Sequence, residues 1–202
     1  MDSFADSLIL MDGNRDTVEG AQMADTMNGR RLREVSAASG MPILRCSAKH
    51  KRPLSEERMK CELLESDEFG GLLSNLDTCV GARVLYTMNS WIDAGLMNGA
   101  TGVVRGYVWP RGGDPHSVDE GKRDPVYIVV EFDELDLGDE DGRPGVKRNF
   151  FPGLELGIDE KGKQRVLKCV PVRREEMAHD SDGRLTRIQF PLRLAWALTH
   201  WK

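Results

Sequence analysis

The chain has 202 residues, which is enough for one domain or two small ones. Its composition, 40% hydrophobic and 30% charged, is ordinary for a globular protein. Its net charge of −5 argues against a protein that grips nucleic acid with its whole surface, so any such contact is expected to be local. No apolar run reaches the roughly 20 residues that span a bilayer, and the acidic start lacks the pattern of a secretory signal, so we expect neither a membrane partner nor secretion.

The first part of the chain alternates between strand and helix patterns. Two short strands are predicted there, at residues 4–11 and 42–48. Between them, apolar residues recur at helical spacing as far as Val35, which predicts a helix capped by Asp16 or Thr17. In the second strand, Ile43, Cys46 and Ala48 are expected to alternate with Arg45 and Ser47. The charge-rich segment 49–68 is predicted to be a solvated linker.

Beyond Gly70 the pattern changes to short strands that are separated by turn-forming residues. Four strands are predicted, at residues 80–88, 101–109, 126–132 and 165–172. Clusters of Gly, Pro and Asp lie between them, as is typical of a small β-barrel or sandwich. A further strand is predicted at 184–190. Because Pro191 can occupy the first position of a helix, the apolar run that follows, 192–198, is predicted to be a buried helix.

Neither the cysteines nor the acidic residues are spaced as metal ligands. The cysteines stand at positions 46, 61, 79 and 169, too far apart for a C-x-x-C pair. They are expected to be free, mostly buried thiols in a reducing compartment. The acidic stretch 131–141 lacks the spacing of a calcium loop and is predicted to be a solvated hairpin tip. We therefore expect no metal in this chain.

Three stretches carry a resemblance to a known family. They are VGARVLYTMNSWIDAGLMNGATGVV at 80–104, PVYIVVEFDE at 125–134 and LTRIQFPLRLAWALTHWK at 185–202. In this order and spacing they resemble the C-terminal half of Pif1-like helicases, superfamily 1 motors that unwind DNA using ATP. Weaker support comes from residues 27–50 and 65–72. The resemblance covers most of the chain.

The resemblance implies an α/β fold in which a partial RecA-like second motor domain carries an inserted SH3-like β-barrel. Residues 1–99 would form the first part of the RecA-like domain, residues 100–183 the SH3-like insertion, and residues 184–202 the return to the RecA-like domain. It also implies a fragment. The family continues its coupling motif as threonine, isoleucine, histidine, lysine, serine, glutamine and glycine, whereas in this chain Thr199 is followed by His200, a tryptophan and a lysine.

Several residues are candidates for nucleic-acid contact. On a strand, Arg83, Thr87 and Asn89 would share one face, from which arginine can pair with phosphate. Trp91 can stack on a base, and the Asn98-Gly99 turn can bring N–H groups close to a phosphate. Arg187 and Gln189 match the family's R-x-Q-x-P-L sequence, and Thr199 and His200 stand where its coupling motif begins. A polar outer face, a junction turn and packing aromatics are the competing explanations for these residues.

The candidate functions follow from what the sequence contains. It has no G-x-x-x-x-G-K-[ST] phosphate loop, so we assign no catalytic residue and no cofactor to this chain, although the intact family uses ATP and Mg²⁺. The leading hypothesis is a fragment of a Pif1-like ATP-dependent DNA helicase that contributes part of the single-stranded DNA groove and lacks the ATP site. The alternatives are a non-catalytic module that binds nucleic acid or protein, and a subunit that complements a separately encoded ATPase half.

The resemblance also sets expectations for biology. The family's partner is single-stranded DNA, and its processes include DNA repair and telomere maintenance. The protein would lie in the nucleus or mitochondrion of a eukaryote, and otherwise in the cytoplasm.

Overall fold

A computed structural model of the chain describes residues 9–11, 18–51, 63–135, 156–158, 164–166, 169–179 and 185–199. Within these ranges it contains one α-helix, α1 (Val18–Ser39), and thirteen strands. The strands are β1 (Ile9–Met11), β2 (Leu44–Ser47), β3 (Asn75–Thr78), β4 (Arg83–Tyr86), β5 (Thr101–Val108), β6 (Tyr127–Phe132), β7 (Leu156–Ile158), β8 (Gln164–Val166), β9 (Cys169–Arg173), β10 (Glu175–Ala178), β11 (Thr186–Gln189), β12 (Leu192–Leu194) and β13 (Ala197–Thr199). Single turns of 3₁₀-helix lie at Asp67–Phe69, Ile92–Ala94 and Glu120–Lys122.

The main sheet has five antiparallel strands in the order β12-β4-β5-β6-β9. One of its inner strands, β6, carries an apolar run in which Ile128, Val129 and Val130 are completely buried. Such a run is expected where both faces of a strand are covered. Within the described residues the sheet has two edges, β12 and β9, and does not close into a barrel.

The main sheet joins strands from segments that the sequence assigns to different domains. Strands β4 and β12 come from the predicted RecA-like segments, whereas β5, β6 and β9 come from the predicted insertion. Backbone hydrogen bonds link all of these strands in one sheet. The division at residues 99 and 183 stays a prediction.

The remaining strands form pairs. Strands β2 and β3, β10 and β11, and β7 and β8 pair antiparallel, whereas β1 and β13 pair parallel. A parallel pair requires a crossover connection, and α1 lies against β13. Helix and mixed sheets thus agree with the α/β class. In β2, which begins at Leu44, Cys46 is completely buried, whereas Ile43 precedes the strand and is 39% exposed.

The prediction of a helix after Pro191 is wrong. The segment forms β12 and β13, which pair with β4 and β1. The Pro191 carbonyl accepts a hydrogen bond from the Thr87 N–H at 3.0 Å, so backbone groups of this segment bond to distant strands rather than within a helix. The prediction of burial is confirmed for Leu192, Trp196 and Ala197, which are at most 3% exposed, whereas Leu194 is only partly buried.

Alanine substitutions at two glycines are expected to change the stability of the fold in opposite directions. A Cβ on Gly102 of β5 would lie 2.5 Å from the Glu131 carbonyl oxygen, whereas one on Gly29 of α1 would meet only the end of the Arg33 side chain at 3.7 Å. Gly102→Ala should therefore destabilise the fold by about 2 kcal/mol through overpacking. Gly29→Ala should stabilise it by about 1 kcal/mol, because alanine favours a helix interior. Urea unfolding followed by circular dichroism measures the change in the free energy of unfolding for each variant. Changes of the same sign in the two variants would contradict the packing described around these glycines.

Candidate nucleic-acid interface

The connection between β4 and β5, residues 87–100, holds most of the predicted contact residues, and we call it the 87–100 loop. Its backbone bonds to itself, because the N–H groups of Trp91 and Leu96 each donate to the other residue's carbonyl at 3.0 Å. The Asn98 N–H donates to Asn89 Oδ1 at 2.9 Å, and the Gly99 N–H donates to the Tyr86 carbonyl at 2.9 Å. The loop therefore has a defined shape before any ligand binds.

The 87–100 loop buries two anchors and exposes apolar side chains. Ala94 and Leu96 are buried in the main core. In contrast, Trp91 is 38%, Ile92 61% and Met97 46% exposed. The predicted Asn98-Gly99 turn is present, with Gly99 at a φ of 99° and open space around it. A ligand can approach the backbone closely at such a turn, but in this conformation the Asn98 and Gly99 N–H groups both donate within the chain.

Arg83 lies beside the loop in an ion pair. Its Nη1 donates to Asp133 Oδ1 at 3.0 Å and its Nη2 to Asp133 Oδ2 at 2.5 Å. The Thr101 hydroxyl donates to the same Oδ2 at 2.5 Å. The predicted face shared with Thr87 and Asn89 is wrong, because β4 ends at Tyr86 and both residues belong to the loop. Thr87 is half-buried, and its hydroxyl has no hydrogen-bond partner among the residues that the structure describes.

Arg187 and Gln189 lie in the interior, with no exposed surface. The Arg187 guanidinium stacks 4.2 Å from the centre of the Phe69 ring and donates to the carbonyls of Leu64 and Leu72 at 2.9 Å each. Gln189 donates to the Cys46 carbonyl at 2.7 Å. In this conformation neither side chain is accessible to nucleic acid, so both hold the fold together. No local sequence pattern indicates this role, because their partners lie far away along the chain.

Two predicted contacts lie at the limit of the described chain. Thr199 is the last residue of β13, where its backbone pairs with Met11 of β1. Its side chain and the whole of His200 lie outside the described residues.

Carboxylates neutralise most of the described cations near the sheets. These pairs are Arg45–Asp77, Lys49–Asp124, Arg105–Glu131, Arg173–Glu175 and Arg174–Asp124. A phosphate that binds one of these cations must displace a carboxylate, so strong phosphate-led binding over the whole surface is not expected.

The buried ionisable groups serve packing rather than chemistry. Burial raises the pKa of the Cys46 thiol to about 12, so the group stays protonated and a poor nucleophile at neutral pH. Burial also lowers the pKa of Arg174, whose guanidinium lies 4.7 Å from the centre of the Phe190 ring. Within the described ranges, no group of three or more ligating side chains could hold a metal ion. No helix in that part of the chain is long and apolar enough to cross a membrane.

Comparison with known proteins gives no sequence match but a consistent structural one. No protein-family model and no curated protein matches the chain. A Pif1 helicase from Candida albicans superposes with a TM-score of 0.53 at 20% identity, over 96% of this chain and 35% of that one. Unliganded Pif1 from Bacteroides gives 0.47 at 16% identity, over 98% and 43%. Bacteroides Pif1 in complex with ADP-AlF3 and ssDNA gives 0.44 at 18% identity, over 98% and 32%.

The match extends over nearly all of this chain but over a minor part of each helicase. The chain spans 35% of the Candida albicans protein and 43% of the unliganded Bacteroides protein. The resemblance stated from the sequence is thus confirmed at the level of the fold. This chain has the fold of a part of a Pif1 helicase.

Proposed function

We propose that this chain is a portion of a Pif1-like DNA helicase that contributes part of the single-stranded DNA surface and has no ATP site of its own. The observation that carries the proposal is the superposition of 96% of the chain on one region of the Candida albicans helicase. The stretches at 80–104, 125–134 and 185–202 support it independently, because they resemble the family in sequence. In this proposal α1 and the β1–β13 pair belong to a RecA-like domain, and residues 100–183 to an SH3-like insertion.

The proposed contact surface consists of the 87–100 loop and its rim, by which we mean Arg83, Thr101 and Asp133. Trp91 offers an aromatic face, and stacking on a base contributes roughly 1–3 kcal/mol in single-strand binders. The Asn98-Gly99 turn offers an open edge with no side chain at Gly99, and Asn89 holds the turn in place by accepting a hydrogen bond from the Asn98 N–H. Arg83, whose guanidinium binds Asp133 and lies 3.4 Å from the Thr101 hydroxyl just after the loop, would supply the cation for a phosphate. Bases and backbone of one strand would then have separate contacts on a preformed surface.

Anisotropy of a labelled oligothymidylate at low salt tests this proposal. Trp91→Ala should weaken binding about tenfold, since a lost base stack costs roughly 1–3 kcal/mol. The control is Val118→Ala, which truncates an apolar residue that is 95% exposed on another loop and should leave binding unchanged. Absence of binding by the unaltered chain, or equal affinities for all three proteins, would refute the proposal.

The absence of a phosphate loop from the sequence leads to a separate prediction about ATP hydrolysis. Phosphoryl transfer needs a phosphate loop, a magnesium-binding carboxylate and a charge-stabilising arginine, and the sequence contains no phosphate loop. The purified chain should therefore release no phosphate from ATP, with or without DNA. DNA-stimulated phosphate release in a malachite-green assay would contradict this expectation.

A second candidate function is docking on a protein. It is favoured by the exposed apolar side chains of Trp91, Ile92 and Met97 on one loop. Large exposed apolar groups on a rigid surface are typical of interaction sites. Salt separates the two candidates, because affinity for phosphates falls as salt rises. Binding of a partner that ignores salt would favour the protein.

A further inference from the structure

The Arg83–Asp133 pair lies at the rim of the 87–100 loop. The Asp133 N–H donates to the Thr101 carbonyl at 2.9 Å, which fixes the carboxylate beside the first residue of β5. The following residue, Glu134, packs its carbonyl against the loop, where a Cβ on Gly95 would lie only 2.8 Å from that oxygen. Because Arg83 binds Asp133, its guanidinium is held beside the 87–100 loop. There it is the cation that would bind a backbone phosphate.

Asp133 binds Arg83 in the way a phosphate would. Two carboxylate oxygens accept from the two terminal nitrogens of the guanidinium, at 3.0 and 2.5 Å. Arginine binds carboxylate and phosphate with this same forked geometry. While the pair holds, the guanidinium and the carboxylate together carry no net charge, so the site attracts a nucleic acid only weakly.

The pair is not sealed from solvent. The Arg83 side chain is 19% exposed and that of Asp133 34% exposed. Because both groups keep contact with water, an incoming anion can reach the guanidinium and compete with the carboxylate. The Thr101 hydroxyl remains as a donor to the released carboxylate.

We propose that Asp133 masks Arg83, and that binding of single-stranded DNA exchanges the Asp133 carboxylate for a backbone phosphate. The inference rests on the proposed function and adds a mechanism that sets its affinity. Asp133 keeps the affinity for phosphodiesters low, and any change that removes its charge raises that affinity. The recognised group is a phosphate of the strand, distinct from the base that would stack on Trp91.

The test compares two isosteric substitutions. Asp133→Asn removes the masking charge. Asp77→Asn is the matched control, because Asp77 holds Arg45 in another forked pair with two bonds of 2.7 Å between β2 and β3. Oligothymidylate affinity is measured by anisotropy from low to physiological salt. Asp133→Asn should raise the affinity at least about threefold and steepen the log–log salt dependence by about 0.7, one extra phosphate contact on a single strand. Asp77→Asn should change neither.

The remaining outcomes each decide the matter. Equal gains for the two variants would show a general charge effect and overturn the proposal, as would no gain for Asp133→Asn. The double variant Arg83→Gln, Asp133→Asn should lose the gain, and its persistence would also overturn the proposal. Asp133→Asn could lose the native circular dichroism spectrum, and in that case Thr101→Ala replaces it as the test. This variant removes one hydrogen bond to the Asp133 carboxylate and should give a smaller gain in oligothymidylate affinity. No gain in affinity would count against masking. Binding by none of the proteins would instead refute the proposed function.

Discussion

Replacement of Asn28 by leucine is expected to destabilise the chain by about 3 kcal/mol, because it leaves several buried backbone groups without partners. Asn28 is 6% exposed on α1. Its Oδ1 accepts from the N–H groups of Trp196 and Ala197 at 3.0 and 2.9 Å, and its Nδ2 donates to the Ala197 carbonyl at 2.9 Å. One side chain thus fixes the bend between β12 and β13 against the helix. Leucine fills the space but offers no hydrogen bond.

Urea unfolding of the full chain measures this effect, with Asn75→Leu as the control. Asn75 lies exposed on β3, where its Oδ1 accepts a hydrogen bond only from the exposed Ser47 hydroxyl among the described residues. The control should change the free energy of unfolding by less than about 0.5 kcal/mol. Similar losses for the two variants would mean that the Asn28 contacts do not hold the C-terminal strands.

Replacement of Arg187 by methionine should also cost about 3 kcal/mol, although it removes a charge from the interior. Methionine can occupy much of the space and pack on Phe69. It cannot donate to the carbonyls of Leu64 and Leu72, so the buried Leu72 carbonyl and the partly buried Leu64 carbonyl would lose these partners. The loss of the stacked cation, 4.2 Å from the Phe69 ring centre, adds to the cost.

The comparison is with Arg45→Met. Arg45 forms a forked pair with Asp77, but its side chain is 67% exposed and the pair contributes little to stability. We expect a stable Arg45 variant and a strongly destabilised Arg187 variant in the same unfolding experiment. A fully stable Arg187→Met chain that gains or loses DNA affinity would contradict a structural role for Arg187 and place it on the contact surface instead.

The parts of the fold that follow from local pattern were predicted from the sequence. The β-branched run of β6 and the apolar spacing of α1 are such signals, and both elements are present. The segment after Pro191 carries no periodicity, because nearly all of its residues are apolar. Its structure depends on pairing with β4 and β1 and on Asn28, more than 160 residues away. Strand and buried helix cannot be told apart from such a run.

The residues of the candidate site likewise divide into those that a local pattern predicts and those whose role depends on distant partners. The Asn98-Gly99 turn was predicted because its chemistry is local. The masking of Arg83 depends on Asp133, 50 residues further along the chain, and no local pattern indicates it. The burial of Arg187 and Gln189 likewise comes from partners in distant segments, so a family motif alone cannot distinguish a contact residue from a packing one.

Chemical-shift mapping by NMR tests the central claim most directly. A short oligothymidylate is titrated into the isotopically labelled chain, and the shifts of backbone amides are followed. We expect the largest changes in the 87–100 loop and at its rim around Arg83, Thr101 and Asp133, with little change in α1 or in the β2–β3 pair. Shifts confined to α1 or to β2–β3, or no shifts at low salt, would contradict a single-stranded DNA surface at this loop.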